Sequence, residues 1–259
     1  MRKIRVIPRL DIKGPNLVKG IHLEGLRIMG NPNDFAMRYY KEGADELLYV
    51  DIVASLYQRN NLHHIVRSTA QNVFIPLTVA GGIRTLDDIR TLLSAGADKV
   101  SINTAAVARP ELIREAAETF GSQCITVAID FKLWPDGTYR VYTDNGRQQT
   151  ALHACDWAVR AAELGAGELL LTSIDREGTG KGLEIKVMRR VTDAVSIPVI
   201  VGGGAGSPEH VAEVIEEGQV DAVALAYMLH YGHCDIAGLK EFLASRDILV
   251  SQRPVPTHA

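Results

Sequence analysis

The chain has 259 residues, 46% of them hydrophobic, enough to bury the core of one barrel-sized domain and too many for a disordered chain. A net charge of −3, with basic residues interspersed among acidic ones, excludes the cationic surface of a nucleic-acid or anionic-membrane binder. The three cysteines, Cys124, Cys155 and Cys234, are odd in number and lack metal-type spacing, and no apolar run is long enough to span a bilayer, so a reduced, cytoplasmic protein is expected.

Short β-rich runs alternate with stretches of helical length, the pattern of βα units around a parallel sheet. Strands are expected at Arg5 to Asp11, Glu46 to Asp51, Pro76 to Ala80, Lys99 to Asn103, Ile125 to Asp130, Glu168 to Ser173, Pro198 to Gly202 and Ala222 to Ala226. Eight such strands predict a (β/α)8 barrel, the TIM-barrel fold. The connection Ile12 to Pro32, with glycines at 14, 20 and 25, reads as a mobile lid. Thr85 to Ala95 and Ser207 to Glu217 read as amphipathic helices of the outer ring, with Thr85 and Ser207 as N-caps. In Phe131 to Thr150, Asp-Gly and Asn-Gly pairs flank an alternating run, which predicts a hairpin inserted after strand five. His63-His64 falls in a helix, and His230, His233 and Cys234 lack the further ligands that a metal site needs. With no nucleotide fingerprint either, neither metal nor cofactor is expected. Ser251 to Ala259, with two prolines, reads as a loose tail.

The chain is written twice. EGADELL at Glu42 returns as LGAGELL at Leu164, and IPLTVAGGI at Ile75 returns as IPVIVGGGA at Ile197, each 122 positions on. One domain made of two half-barrels, about 1–122 and 123–250, is therefore expected. Each half opens with a strand ending in D-x-K, at Asp11 and at Asp130. Active sites of such barrels gather at the C-terminal strand ends, and strands one and five are opposed, so the two carboxylates should face one another across the mouth. One would take a proton and the other give one, provided their surroundings separate their pKa values.

Gly81-Gly82 after strand three and Gly202-Gly203-Gly204 after strand seven let backbone amides approach an anion, and Ser101, Asn103 and Thr104 add donors beside the first pair. Two opposed cradles imply a ligand with a phosphate at each end. The second is poorer in side-chain donors, since Ala226 and Tyr227 stand where the first half has Asn103 and Thr104. Arg5, Glu46, Lys99 and Glu168 begin strands one, two, four and six, and two charges of each sign can pair into a ring at the barrel floor.

Over nearly its whole length the chain resembles the HisF family, the cyclase subunits of imidazole glycerol phosphate synthase. The resemblance is carried by LVKG at Leu17, GADEL at Gly43, GADKVSINTAA at Gly96, TFGSQ at Thr119, VAID at Val127, LLTSIDREGT at Leu170 and GGAG at Gly203. It implies a cyclase of histidine biosynthesis that takes ammonia from a HisH-type glutaminase docked on the N-terminal face of the barrel. The implied substrate is the bisphosphorylated phosphoribulosyl-formimino ribonucleotide PRFAR, and the products are imidazole glycerol phosphate and AICAR. Asp11 and Asp130 match the family's acid/base pair, Lys19 its flexible-loop lysine and Asp51 a substrate-site carboxylate. Gly82, Asn103 and Thr104 match one phosphate site and Gly203 and Gly204 the other. Thr172, Glu177 and Gly178 of the LLTSIDREGT stretch fall in the implied substrate site. Arg5, Glu46, Lys99 and Glu168 match the charged gate of an ammonia conduit.

The departures are local. Arg9 stands where the family usually has Cys; it shares strand parity with Asp11 and should point into the barrel, lowering the pKa of Asp11 or obstructing ammonia. Ala80 replaces a glycine, Glu177 an aspartate, and Tyr227 a small hydroxyl residue at the second cradle. A second reading is therefore a HisF-like paralogue that conducts ammonia for an amidotransferase of sugar or surface-polysaccharide modification, opposed by the retention of Asp11, Asp130 and Lys19. A third is the sister isomerase HisA, which the SINTAA and TSIDREGT stretches oppose.

Overall fold

The computed structural model describes residues 3–54 and 62–252. Its strands are, in chain order, β1 (Arg5–Lys13), β2 (Asn16–Ile21), β3 (Glu24–Gly30), β4 (Leu47–Asp51), β5 (Leu77–Ala80), β6 (Lys99–Ile102), β7 (Ile125–Leu133), β8 (Tyr139–Thr143), β9 (Gln148–His153), β10 (Glu168–Ser173), β11 (Val199–Gly202) and β12 (Ala222–Leu225). Among them β1, β4, β5, β6, β7, β10, β11 and β12 are parallel neighbours, and the β7–β10 and β12–β1 pairings close the ring. Helices separate successive barrel strands, so the fold is a (β/α)8 TIM barrel, as the alternation of elements predicts.

Side-chain parity decides what each strand contributes. Outward residues such as Val6, Leu10, Leu47, Tyr49, Val79 and Val100 are buried beneath the helices, each large apolar side chain contributing roughly 1.5–3 kcal/mol. Inward residues Ile7, Leu48, Ala80, Ala128, Leu170, Ile200, Ala222 and Ala224 fill the lumen as a second apolar cluster. A recurring aspartate closes the floor. The carboxylates of Asp45, Asp98 and Asp221 accept the backbone N–H of Val6, Leu77 and Val199 at 2.8, 2.8 and 2.9 Å, satisfying donors at strand starts.

Thr85 caps the helix Leu86–Ser94 through a reciprocal capping box with Asp88. Ser207 stands at the N-cap of Pro208–Gly218, but its hydroxyl makes no capping bond there. Two long connections have strand structure of their own. The segment read as a mobile lid folds as an antiparallel hairpin, β2 with β3, and β2 also pairs β1 through Asp11 and Val18. Leu17, Val18 and Lys19 are buried in it, so the hairpin carries its own small core over the barrel mouth. The insertion after strand five is a three-stranded meander rather than a hairpin. β7 pairs β8 and β8 pairs β9, because Asp-Gly and Asn-Gly each make a turn of their own, with Gly137 and Gly146 at positive φ. From residue 253 on, the segment read as a loose tail lies outside the described residues. Among the described residues no helix is long and apolar enough to cross a membrane.

Candidate active site

A cavity of about 210 Å3 opens at the C-terminal ends of the strands. Its wall contains Asp51, Gly81, Gly82, Ser101, Asn103, Thr104, Asp130 and Thr172 of the residues predicted from sequence, with Arg9 beneath them. Asp11 lies just behind Arg9, 3% exposed, and Asp130 stands part-exposed on the opposite side. The first cradle is thus open to the cavity. Gly81 has φ +98°, and a Cβ there would sit 2.2 Å from the backbone oxygen of Asp51, so no other residue fits the turn.

Asn103 does more than donate to an anion. Its Nδ2 donates to Asp130 Oδ2 at 2.8 Å and to the backbone oxygen of Tyr142 at 3.2 Å, while its Oδ1 is buried without a partner. Asn103 therefore holds one catalytic candidate in place. Thr104 Oγ1 accepts the backbone N–H of Asp144 at 3.1 Å, which ties the meander to the same wall.

The two acids sit in opposite electrostatic surroundings. Burial would push Asp11 up, but Arg9, whose Nε donates to Asp11 Oδ1 at 2.8 Å, and Lys19, whose Nζ reaches Oδ2 at 3.4 Å, hold it below the ordinary carboxylate range. Burial pushes Asp130 up, and the more distant charge of Arg9 with hydrogen bonds from Asn103 and Thr172 does not cancel it. An ionised carboxylate therefore faces one held closer to neutral, the separation that a paired acid and base need.

Lys19 is 1% exposed and also pairs with Glu177. That bond, the His22 Nδ1 contact to the backbone oxygen of Ile174 at 3.0 Å and the His22 N–H donated to Glu177 O at 2.8 Å fasten the hairpin onto the loop after β10.

The second cradle is arranged differently from the first. Gly203 lies against Ser173, and Gly204 lies against Gly182 and accepts its N–H at 2.9 Å. Gly178 packs on the backbone of Gly20. Gly203 and Gly204 are buried against the chain's own 176–182 segment, Ala226 is buried as well, and none of the three lines the cavity. The Tyr227 ring lies against Gly180, stacks on His233 with centroids 5.3 Å apart, and lines a separate rim hollow with Lys19 and Gly20.

At the other end of the barrel the four charges pair into a ring. Arg5 Nη1 reaches Glu46 at 2.6 Å and Glu168 at 2.7 Å, while Lys99 Nζ reaches the same two carboxylates at 3.2 and 2.9 Å. Above it, the hydroxyls of Ser101 and Thr126 are buried without a partner.

Sequence reasoning missed Arg84, Asp144 and Asn145 in the cavity wall. Asp144 and Asn145 read only as turn formers, and both adopt positive φ in that turn. It also missed the buried pair of Tyr39 and His230, 2.6 Å apart, beneath the Asp11 side of the mouth.

The histidine biosynthesis protein family matches residues 5–235 of this chain. The imidazole glycerol phosphate synthase subunit HisF of Legionella pneumophila is 58% identical over 209 residues, which is 81% of this chain and 99% of that protein. The chain belongs to the HisF family. The like-named subunit of Methanopyrus kandleri is 50% identical over 96% of this chain and 98% of its own length. HisF membership sets aside the isomerase reading, and the family match includes Asp11, Asp130 and the four residues of the floor ring.

Proposed function

We propose that this HisF-family chain is the cyclase of imidazole glycerol phosphate synthase in histidine biosynthesis, converting PRFAR and ammonia into imidazole glycerol phosphate and AICAR. The observation that carries the reading is the pair of opposed carboxylates, Asp11 held ionised and Asp130 pushed toward neutral, across one cavity with a phosphate cradle in its wall. Cyclisation needs protons taken from nitrogen and delivered to oxygen, which such a pair supplies. A barrel that only conducted ammonia would have no use for two acids separated in this way.

The substrate's phosphates would take Gly82, Asn103 and Thr104 at one end and the backbone of Gly203 and Gly204 at the other. The second contact requires the hairpin and the 176–182 segment to part. Ammonia would come from a HisH-type glutaminase on the N-terminal face, past the ring of Arg5, Glu46, Lys99 and Glu168. The partnerless hydroxyls of Ser101 and Thr126 offer it hydrogen-bonding steps past the apolar cluster of the lumen, below the layer of Arg9 and Thr172.

The test is turnover of PRFAR by the isolated chain with saturating ammonium. Wild type should turn over, and Asp11→Asn and Asp130→Asn should each lose on the order of 100-fold or more in kcat. An inactive wild type, or variants equal to it, would refute the reading.

A further inference from the structure

Arg9 is the one strong break in the symmetry of the lumen. Aligning the two D-x-K ends places Arg9 opposite Ala128, and the strand repeat places Thr172 opposite Val50. One half thus contributes a cation and the other a hydroxyl, where their counterparts are small or apolar. The structure joins them. Arg9 leaves β1, donates from Nε to Asp11 on its own strand, and reaches across the barrel to donate from Nη1 to Thr172 Oγ1 on β10 at 3.2 Å. It is 5% exposed, so this bar lies in a water-poor layer where charge pairs are strong.

We propose that Arg9 is a positioning residue that locks Asp11 in its ionised form and fixes orientation, dividing the labour of the two acids. Asp11 is the proton acceptor in every turnover and Asp130 the donor. This rests on the cyclase reading above. When ammonia adds to a substrate carbonyl, the new C–N bond uses the nitrogen lone pair and the C=O π pair moves to oxygen. The nitrogen then gives a proton to Asp11, and the oxygen receives one from Asp130.

The groups around Asp11 give this assignment its direction. Arg9 from its own strand, Lys19 from the hairpin and His230 from the helix after β12 act on Asp11, Glu177 from the loop after β10 acts on Arg9 and Lys19, and Asp130 and Asp51 line the cavity. Two cations, Arg9 and Lys19, pair with Asp11, and Lys19 is shared with Glu177. Arg9 is the cation whose salt bridge is made to Asp11 alone.

The experiment is the pH profile of kcat/KM for PRFAR with saturating ammonium, without a glutaminase, for wild type, Arg9→Met, Arg9→Lys and Arg9→Cys. Arg9→Met removes the charge at similar length, and the acid limb should move up by at least about one pH unit, with activity partly recovered on the alkaline side. Arg9→Lys should return the limb toward wild type. Arg9→Cys restores the residue usual in the family, provides a foldable neutral variant and should shift the limb as Met does. A neutral variant that loses activity with the limb unmoved, or loses nothing, overturns the role of Arg9 while leaving the cyclase reading intact. A wild type without turnover overturns both.

Discussion

His230 makes the fold sensitive to mild acid in a way that a single substitution should expose. The residue is 6% exposed, stacked on Tyr39 and edge-on to Phe35, and its Nδ1 lies 2.6 Å from the Tyr39 hydroxyl. Arg38 Nη2 donates to the same hydroxyl at 2.7 Å, which leaves the phenolic proton for the imidazole and requires that ring to be neutral. Burial first, and the nearby charge of Lys19 second, press its pKa down to about 4, against the smaller opposing pull of Asp11. An unfolded histidine titrates near 6.5. Between those values the unfolded chain binds a proton that the folded chain refuses, so stability is complete above about pH 6.5 and falls as the pH drops toward 4. From pH 7 to pH 5 the loss is about 2 kcal/mol, taking about 1.4 kcal/mol per pH unit and allowing for partial protonation at both ends. In His230→Phe the apolar stacking survives. The unused phenolic proton costs about 1 kcal/mol, but that cost does not depend on pH. Urea unfolding at pH 7 and pH 5 should show wild type losing about 2 kcal/mol more than the variant, since the remaining titrations are common to both. Equal losses in the two proteins would refute the argument.

Gly81→Ala should destabilise by at least about 2 kcal/mol, because φ is +98° and the new Cβ would meet Asp51 O at 2.2 Å; a urea midpoint equal to wild type would contradict it. Asp11 lies below its ordinary pKa, so its contribution is present above about pH 4 and lost as the pH falls through its folded value. Asp11→Asn should therefore be less stable than wild type at neutral pH and converge on it in stronger acid, as read by denaturant melts across that window. Arg5→Ala leaves Glu46 and Glu168 sharing Lys99 alone. With a glutaminase present it should change glutamine-dependent turnover more than ammonium-dependent turnover, and equal changes would assign the ring to the fold.

Much of the site was legible because its signals are local or repeated. D-x-K at two strands placed Asp11 and Asp130 at the mouth, and the Gly-Gly turn placed Gly81 and Gly82 in the cavity wall, since only glycine tolerates the positive φ and close approach found at Gly81. Charges at strand starts predicted the floor ring, and strand parity predicted that Arg9 points inward. That the segment read as a lid pairs as a hairpin was not legible, because its glycines signal turns without giving the register of the strands between them. What holds it down, Lys19 on Glu177, joins residues 158 positions apart. The second cradle read as poorer in donors than the first, but that the 176–182 segment packs on its glycines was not legible, since those are backbone contacts that no pattern announces.

The sequence by itself determined the barrel and the places of Asp11 and Asp130 toward its mouth, because strand period, turn chemistry and repeat spacing are properties of neighbouring residues. Beyond the Arg9 that the sequence already placed beside Asp11, tertiary structure decided how the two acids differ. A carboxylate's pKa follows from the charges and the dielectric within a few ångströms of it. Those around Asp11 and Asp130 arrive from several strands, the hairpin and a helix, brought together only when the barrel closes.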